Sequence, residues 1–109
     1  MTNGAGPLQI DGVPRFYVVF MTTRFQSFPD IQREAPEQLA EHVATSKRLH
    51  REGLLLMAGA FLDRPGEAVR TMGVLVSPDE AQHYAENDPF VRAGLVEEWH
   101  IREWANIFG

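Results

Sequence analysis

The sequence predicts an α+β fold of the ferredoxin-like kind, in the order β-α-β-β-α-β, with two helices covering one face of a four-stranded antiparallel sheet. Three observations lead there. A β-branched and aromatic run opens the ordered part of the chain at residues 15–24. Two helical segments begin at recognisable start signals, Pro36 and Ser77-Pro78. Short apolar runs separated by turn residues occupy the places between and after them.

Taken in order, residues 1–14 read as a flexible arm, small and polar at first and ending in Asp11-Gly12-Val13-Pro14. A single domain is expected over residues 15–109. Arg15 to Arg24 reads as a strand that is apolar on both faces. Phe25 to Glu34, with Pro29-Asp30 inside it, reads as a loop. The clearest helix runs from Pro36 to Glu52, and Gly53 is its C-terminal stop. Leu39, Val43 and Leu49 form its apolar stripe. With Leu39 at zero, His42 falls at about −60°, Ser46 at about −20° and His50 at about +20°. Both histidines and the serine are therefore expected on the face turned to the core.

Leu54 to Phe61 is short and continuously apolar, and reads as a buried strand. Asp63-Arg64-Pro65-Gly66 is a turn, and Val69 to Val76 returns as the partner of a hairpin. Ser77-Pro78-Asp79-Glu80 starts the second helix, with Ser77 as N-cap and Pro78 first inside; it is expected to end near Glu86. After a turn through Asn87-Asp88-Pro89-Phe90 and Gly94, Leu95 to Trp104 reads as the last strand. Alternation puts Leu95, Trp99 and Ile101 on one of its faces and Val96 and His100 on the other.

Composition bounds the partners. A chain of 109 residues with 44% apolar and 23% charged residues suits one globular domain. It contains no cysteine, which excludes disulfides, thiolate metal ligands and thiol nucleophiles and fits a cytoplasmic protein. No apolar run approaches the roughly 20 residues that span a bilayer, so no membrane partner is expected. A net charge of −5, with Lys47 the only lysine, argues against nucleic acid, which is bound through clustered cations. Two helices cover only one face of the sheet, while the first three strands are apolar on both. A second copy packed sheet to sheet is expected to cover the other face, giving a two-fold homodimer or a larger assembly built from it.

The residues singled out for chemistry are His42 and Asp88. Both helices lie on the same side of the expected sheet, which places the two to meet. An aspartate accepting from one imidazole nitrogen fixes the tautomer and leaves the other nitrogen as a base. The plainer alternative is that Asp88 caps the turn before Pro89 and His42 is a hydrogen-bonded core histidine. Ser46 shares the His42 face, and Arg24 and Phe61 stand at strand ends; these three are candidates for holding a ligand. His50 lies about 12 Å along the helix axis from His42, too far to share a metal ion, and is expected to be a core histidine. His83 and His100 are expected to be surface and sheet residues, and Trp99 and Trp104 core or interface residues. No metal cluster or glycine-rich phosphate loop is present in the sequence.

Two stretches carry a family resemblance. Glu41-His42 through His50-Arg51-Glu52-Gly53-Leu54-Leu55-Leu56-Met57-Ala58-Gly59, and Ala85-Glu86-Asn87-Asp88-Pro89-Phe90-Val91-Arg92-Ala93-Gly94, resemble the signature of the YCII-related (YciI-like) family. That signature has a helix histidine, a later Gly-x-Leu-Leu-x-x-Gly-Pro stretch and an Asp-Pro-[Phe/Tyr]-x-x-Ala-Gly motif. One departure is visible: Ala60 stands where the family often has proline. The resemblance spans about Arg15 to Trp104 and implies a dimeric α/β barrel in which His42 and Asp88 match the family's active-site pair. It further implies an enzyme of lyase or isomerase type that needs no cofactor and acts on a small cyclic or aromatic ligand. Removing halide from a chlorinated hydroxyquinol is one such reaction, and the muconolactone isomerases are a related branch. A non-catalytic module that binds a small ligand in the same pocket is the alternative.

Overall fold

The β-branched run at the start of the ordered chain forms the strand expected of it, and the rest of the sheet assembles around it. The computed structural model describes Gly6 and residues 8–109. The expected arm falls partly outside the described residues; its end is tied to the sheet, where Asn106 N donates to Pro14 O at 2.8 Å. The elements are β1 (Arg15–Thr23), α1 (Phe28–Glu34), α2 (Pro36–Arg51), β2 (Leu55–Ala60), β3 (Arg70–Leu75), α3 (Pro78–Asn87), α4 (Pro89–Arg92) and β4 (Val96–Ala105). All strand pairs are antiparallel, in the order β2-β3-β1-β4. This is the ferredoxin-like arrangement, with the two short helices α1 and α4 added to the expected pair.

Those two helices correct the expectation of a loop and a turn. Ser27 Oγ accepts from Asp30 N at 3.1 Å, with Pro29 in the first turn, so Pro29-Asp30 starts a helix. In α4, Asp88 Oδ2 accepts from Phe90 N at 3.0 Å and from Val91 N at 3.2 Å, and Pro89 takes the position that needs no donor. The long helix ends as expected: Gly53, at φ +78°, turns the chain and lets Leu54 N reach Leu49 O at 3.0 Å.

One face of the sheet carries the core. Val19, Met21, Leu55 and Leu75 pack beneath Leu49, Ala81, Tyr84 and Ala85. A second cluster, Phe25, Ile31, Ala35 and Phe90, closes the end nearest α1 and α4. The stripe expected on α2 is displaced: Leu49 is buried and His42 and Ser46 are half-buried, but Val43 is 40% exposed and His50 is exposed. The helix is thus rolled so that His42 lies nearer the middle of its inner face. His50 is not a core histidine; its Nδ1 is hydrogen-bonded to Leu55 O at 2.9 Å, pinning the turn into β2.

Two further expectations are corrected. β2 is an edge strand, and only Leu55 is buried while residues 57–60 are exposed. In β4 an irregularity opposite Thr22/Thr23 pairs Thr22 with Glu98 but Thr23 with Val96, so Glu97 is an extra residue. The bulge returns Val96 to the face of Trp99 and Ile101, and Leu95 packs into the second cluster.

Among the described residues, no helix lies over the opposite sheet face. Register pairing puts Phe16, Val18 and Phe20 of β1 beside Trp104, Arg102 and His100 of β4, with Met72 and Val74 of β3 and Met57 of β2 on the other side. Phe20 stacks on His100 with centroids 5.1 Å apart, while Met57 is 62% and Trp104 49% exposed.

Candidate active site

The packing of α2 against the N-terminus of α4 brings together two residues that lie far apart in sequence. His42 Nδ1 is 2.5 Å from Asp88 Oδ1. The Asp88 side chain is only 1% exposed and that of His42 23%. Asp88 has a second duty, since its other oxygen takes the two amide N–H groups that open α4. The carboxylate is therefore fixed by three donors. The same carboxylate thus caps a helix and engages a histidine. A carboxylate accepts only, so His42 donates from Nδ1, and in the neutral ring Nε2 keeps its lone pair. The ring is boxed in by Phe90, at 5.4 Å between centroids, and by Tyr84, at 6.4 Å.

Two hollows meet at this imidazole. One is a polar groove of about 500 Å³ between α2 and α3, lined by Thr45, Arg48, Glu52, Asp79 and His83 among others. The other is an apolar cavity of about 310 Å³ between α2 and the sheet, reaching the exposed edge of β2. The second is a mostly apolar cavity with a few convergent polar groups, the kind of space that holds small ring compounds. Its floor is made of small residues: Ala58 and Ala60 of β2, with Thr71 of β3 opposite Ala60. Met21, Leu39 and Phe90 form walls, with Val43 and Lys47 also contributing.

Polar groups facing this space are few. Thr23 is already engaged, its hydroxyl 3.0 Å from Val69 O. Ser46 Oγ is closed to water and makes no hydrogen bond. Tyr84 lies beside it, its ring end against the Cα side of Gly73, where an added Cβ would sit 3.4 Å from Tyr84 Cε2. Burial pushes the Tyr84 phenol above its ordinary 10.0; the Ser46 hydroxyl pulls it part of the way back, and the negative charge of Asp88 pushes it up again.

That shift gives a stability prediction. The folded protein holds the Tyr84 proton to higher pH than the unfolded chain does. The resulting stabilisation is complete below about pH 10 and lost as pH rises through the folded value. Urea unfolding at about pH 8 and about pH 11 is expected to show a smaller alkaline loss for Tyr84→Phe than for the parent; equal losses would contradict the assignment.

Of the expected site residues, the structure brings His42, Asp88 and Ser46 together. Arg24 and Phe61 are not among the residues that line the cavity. Arg24 is exposed at the end of β1, and Phe61, at 49% exposure, follows β2 with its amide bonded to Arg70 O. Tyr84 is the residue that sequence reasoning missed. Its signal was the inward spacing Ala81, Tyr84, Ala85 and Asp88 along α3. Among the described residues, no group of three or more His, Asp or Glu could hold a metal ion, and no helix is long and apolar enough to cross a membrane.

A family model for the YCII-related domain matches residues 16–105. No curated protein matches the chain. Several solved structures share its fold. TftG, the 5-chloro-2-hydroxyhydroquinone dehydrochlorinase of Burkholderia phenoliruptrix AC1100 in complex with 2,5-dihydroxybenzoquinone, aligns with a TM-score of 0.57 at 21% identity, covering 82% of this chain and 92% of that one. A candidate antibiotic biosynthesis monooxygenase from Caulobacter crescentus CB15 aligns at 0.53 and 15%, covering 88% and 92%. PA3566 from Pseudomonas aeruginosa aligns at 0.51 and 14%, covering 92% and 100%. At these identities the likeness is one of fold.

Proposed function

This chain belongs to the YCII-related domain family, and on that premise we propose that it is a small enzyme in which His42 is the general acid/base and Asp88 its positioning residue. The observation that carries the reading is the placement of the pair: a buried carboxylate held by three donors grips the imidazole at the wall of an apolar cavity. A histidine needed only for packing has no use for a cavity beside it.

The chemistry follows from the tautomer. Nε2 accepts a proton from an acidic C–H or O–H of the ligand while Asp88 steadies the cation that forms. The proton then returns to another ring position, or leaves as a halide departs with the electrons of its bond. The first course is an isomerisation and the second a lyase reaction; neither changes the net oxidation state of ligand plus leaving group. A volume of about 310 Å³ suits a single substituted ring. Substituted hydroquinones are the first compounds to try, since the fold relative TftG is named for acting on one.

The test is incubation with a panel of ring phenols, halogenated hydroquinones and unsaturated lactones in deuterated buffer, followed by NMR. Deuterium uptake or halide release by the parent, lost in His42→Ala, is the expected result, with a drop of about 10²–10⁴-fold. Turnover that survives the substitution would remove His42 from the mechanism. Tight binding with no turnover of any member would favour the non-catalytic module.

We also propose that the uncovered sheet face is the contact between two copies of the chain. Phe16, Phe20, Met57, Met72 and Trp104 leave an apolar surface for which no helix is available.

A further inference from the structure

Ser46 Oγ is the one buried side-chain nitrogen or oxygen among the described residues that has no hydrogen-bond partner. Folded proteins seldom leave such a group unpaired. Thr23, on another wall of the same cavity, shows the usual outcome, with its hydroxyl used by Val69 O. The Ser46 hydroxyl has no partner at full hydrogen-bond geometry; its polar neighbour is the phenol of Tyr84, which also lines the cavity and whose ionised form that hydroxyl favours. Burial keeps that phenol protonated at neutral pH, so Tyr84 is available as a donor.

Resting on the acid/base reading of His42, we propose that the Tyr84 hydroxyl, joined by the Ser46 hydroxyl once it turns about its Cα–Cβ bond toward the cavity, forms a two-donor seat for a ring oxygen of the substrate that becomes negative as the proton is removed. Ser46 is one turn beyond His42 on α2, about 6 Å along the axis. A ring lying in the cavity along α2 presents its acidic hydrogen to His42 and its oxygen to the seat. As Nε2 takes the proton from a ring C–H conjugated with a carbonyl, the electron pair of the broken C–H bond moves through the ring to the carbonyl oxygen, giving an enolate. The two O–H groups donate to that oxygen where charge develops, in a mostly apolar cavity where such bonds count for more than in water. On return of the proton to carbon, or loss of halide with its bonding pair, the oxygen reverts to a carbonyl. Tyr84 and Ser46 neither gain nor lose a proton over the cycle.

The arrangement also separates duties among the four polar side chains. Asp88 is saturated by donors and does not touch the ligand. Tyr84 has its ring braced by Gly73 and Leu55, so packing places its hydroxyl, with Ser46 as its polar neighbour.

The experiment uses 4-nitrophenol, whose absorbance separates its neutral and ionised forms. The intact protein is expected to bind the phenolate more tightly than the phenol and to shift the bound probe's ionisation to lower pH. Tyr84→Phe and Ser46→Ala are each expected to weaken phenolate binding tenfold or more and to reverse that shift. Binding of 4-nitrotoluene, which has no ionisable oxygen, is expected to change less than twofold in both. Thermal melting controls for folding, and Tyr84→Phe retains the ring. Two results overturn the proposal: phenolate binding that is unchanged in both variants, and an intact protein that does not bind the phenolate. The reading of His42 fails separately, on turnover that survives His42→Ala, and probe binding by that variant does not bear on it.

Discussion

Asp88→Ala is expected to cost about 2–4 kcal/mol of stability, because one side chain closes three contacts. Losing a helix N-cap costs about 1 kcal/mol, and orphaning the buried His42 donor adds about 1–3. For a domain of this size the melting temperature should fall by roughly 10–20 °C. Asp88→Asn separates the two duties. The amide oxygen is still able to accept from Phe90 N and Val91 N, so the start of α4 survives and the loss of stability should be about 1 kcal/mol or less. Its uncharged side chain does not steady an imidazolium, and turnover on any substrate found is expected to fall by about 10²-fold or more. Differential scanning calorimetry and initial rates on both variants measure the split. If Asn melts as early as Ala, the carboxylate's charge and not its geometry holds α4. If Asn retains full turnover, Asp88 is a cap alone and His42 works without it.

The second large effect concerns the open sheet face. Phe20 lies at its middle, paired with Met72 on one side and His100 on the other. In a sheet-to-sheet dimer it is sealed from water, and Phe20→Glu would put a charge into that seal. The expected weakening is about 2–4 kcal/mol, or about 30- to 1,000-fold in dissociation constant. Met57→Glu, nearer the edge and already 62% exposed, should weaken it by much less. Sedimentation equilibrium at micromolar concentration is the measurement. The parent should sediment as a dimer or larger and Phe20→Glu as a folded monomer. A parent that is a stable monomer at that concentration removes the proposal, whatever the variants do. Because the cavity lies on the opposite, helix-covered face, Phe20→Glu should leave 4-nitrophenol binding intact.

How much of this was legible beforehand divides by the range of the interaction. The sequence by itself determined the order of the four strands and the two longer helices, the caps at Ser77-Pro78 and Gly53, and the inward setting of His42. Each depends on residues within one or two turns of each other, where sterics and local hydrogen bonds decide. The meeting of His42 with Asp88 was also within reach, since the element order puts both helices on one side of the sheet. The start of α1 was legible in kind, as Ser27-Phe28-Pro29-Asp30 has the same cap-then-proline form as Ser77-Pro78, but Pro29 was read as a breaker.

What only the tertiary structure decided are placements set by contacts between distant segments. The roll of α2 turned Val43 and His50 outward, because α1 and α4 pack against its flank and fix its rotation more firmly than its own weak stripe does. The bulge at Glu97 reversed Val96, since a single extra residue changes the face of those before it and leaves no mark in an alternating sequence. The cavity arises because Ala58, Ala60 and Thr71, small residues on two different strands, lie under one helix. The juxtaposition of Ser46 with Tyr84 arises in the same way, from α2 and α3 settling side by side. Periodicity assigns a residue to a face; which side chains share that face's interior is settled by packing volume and helix rotation, and these are properties of the assembled layers.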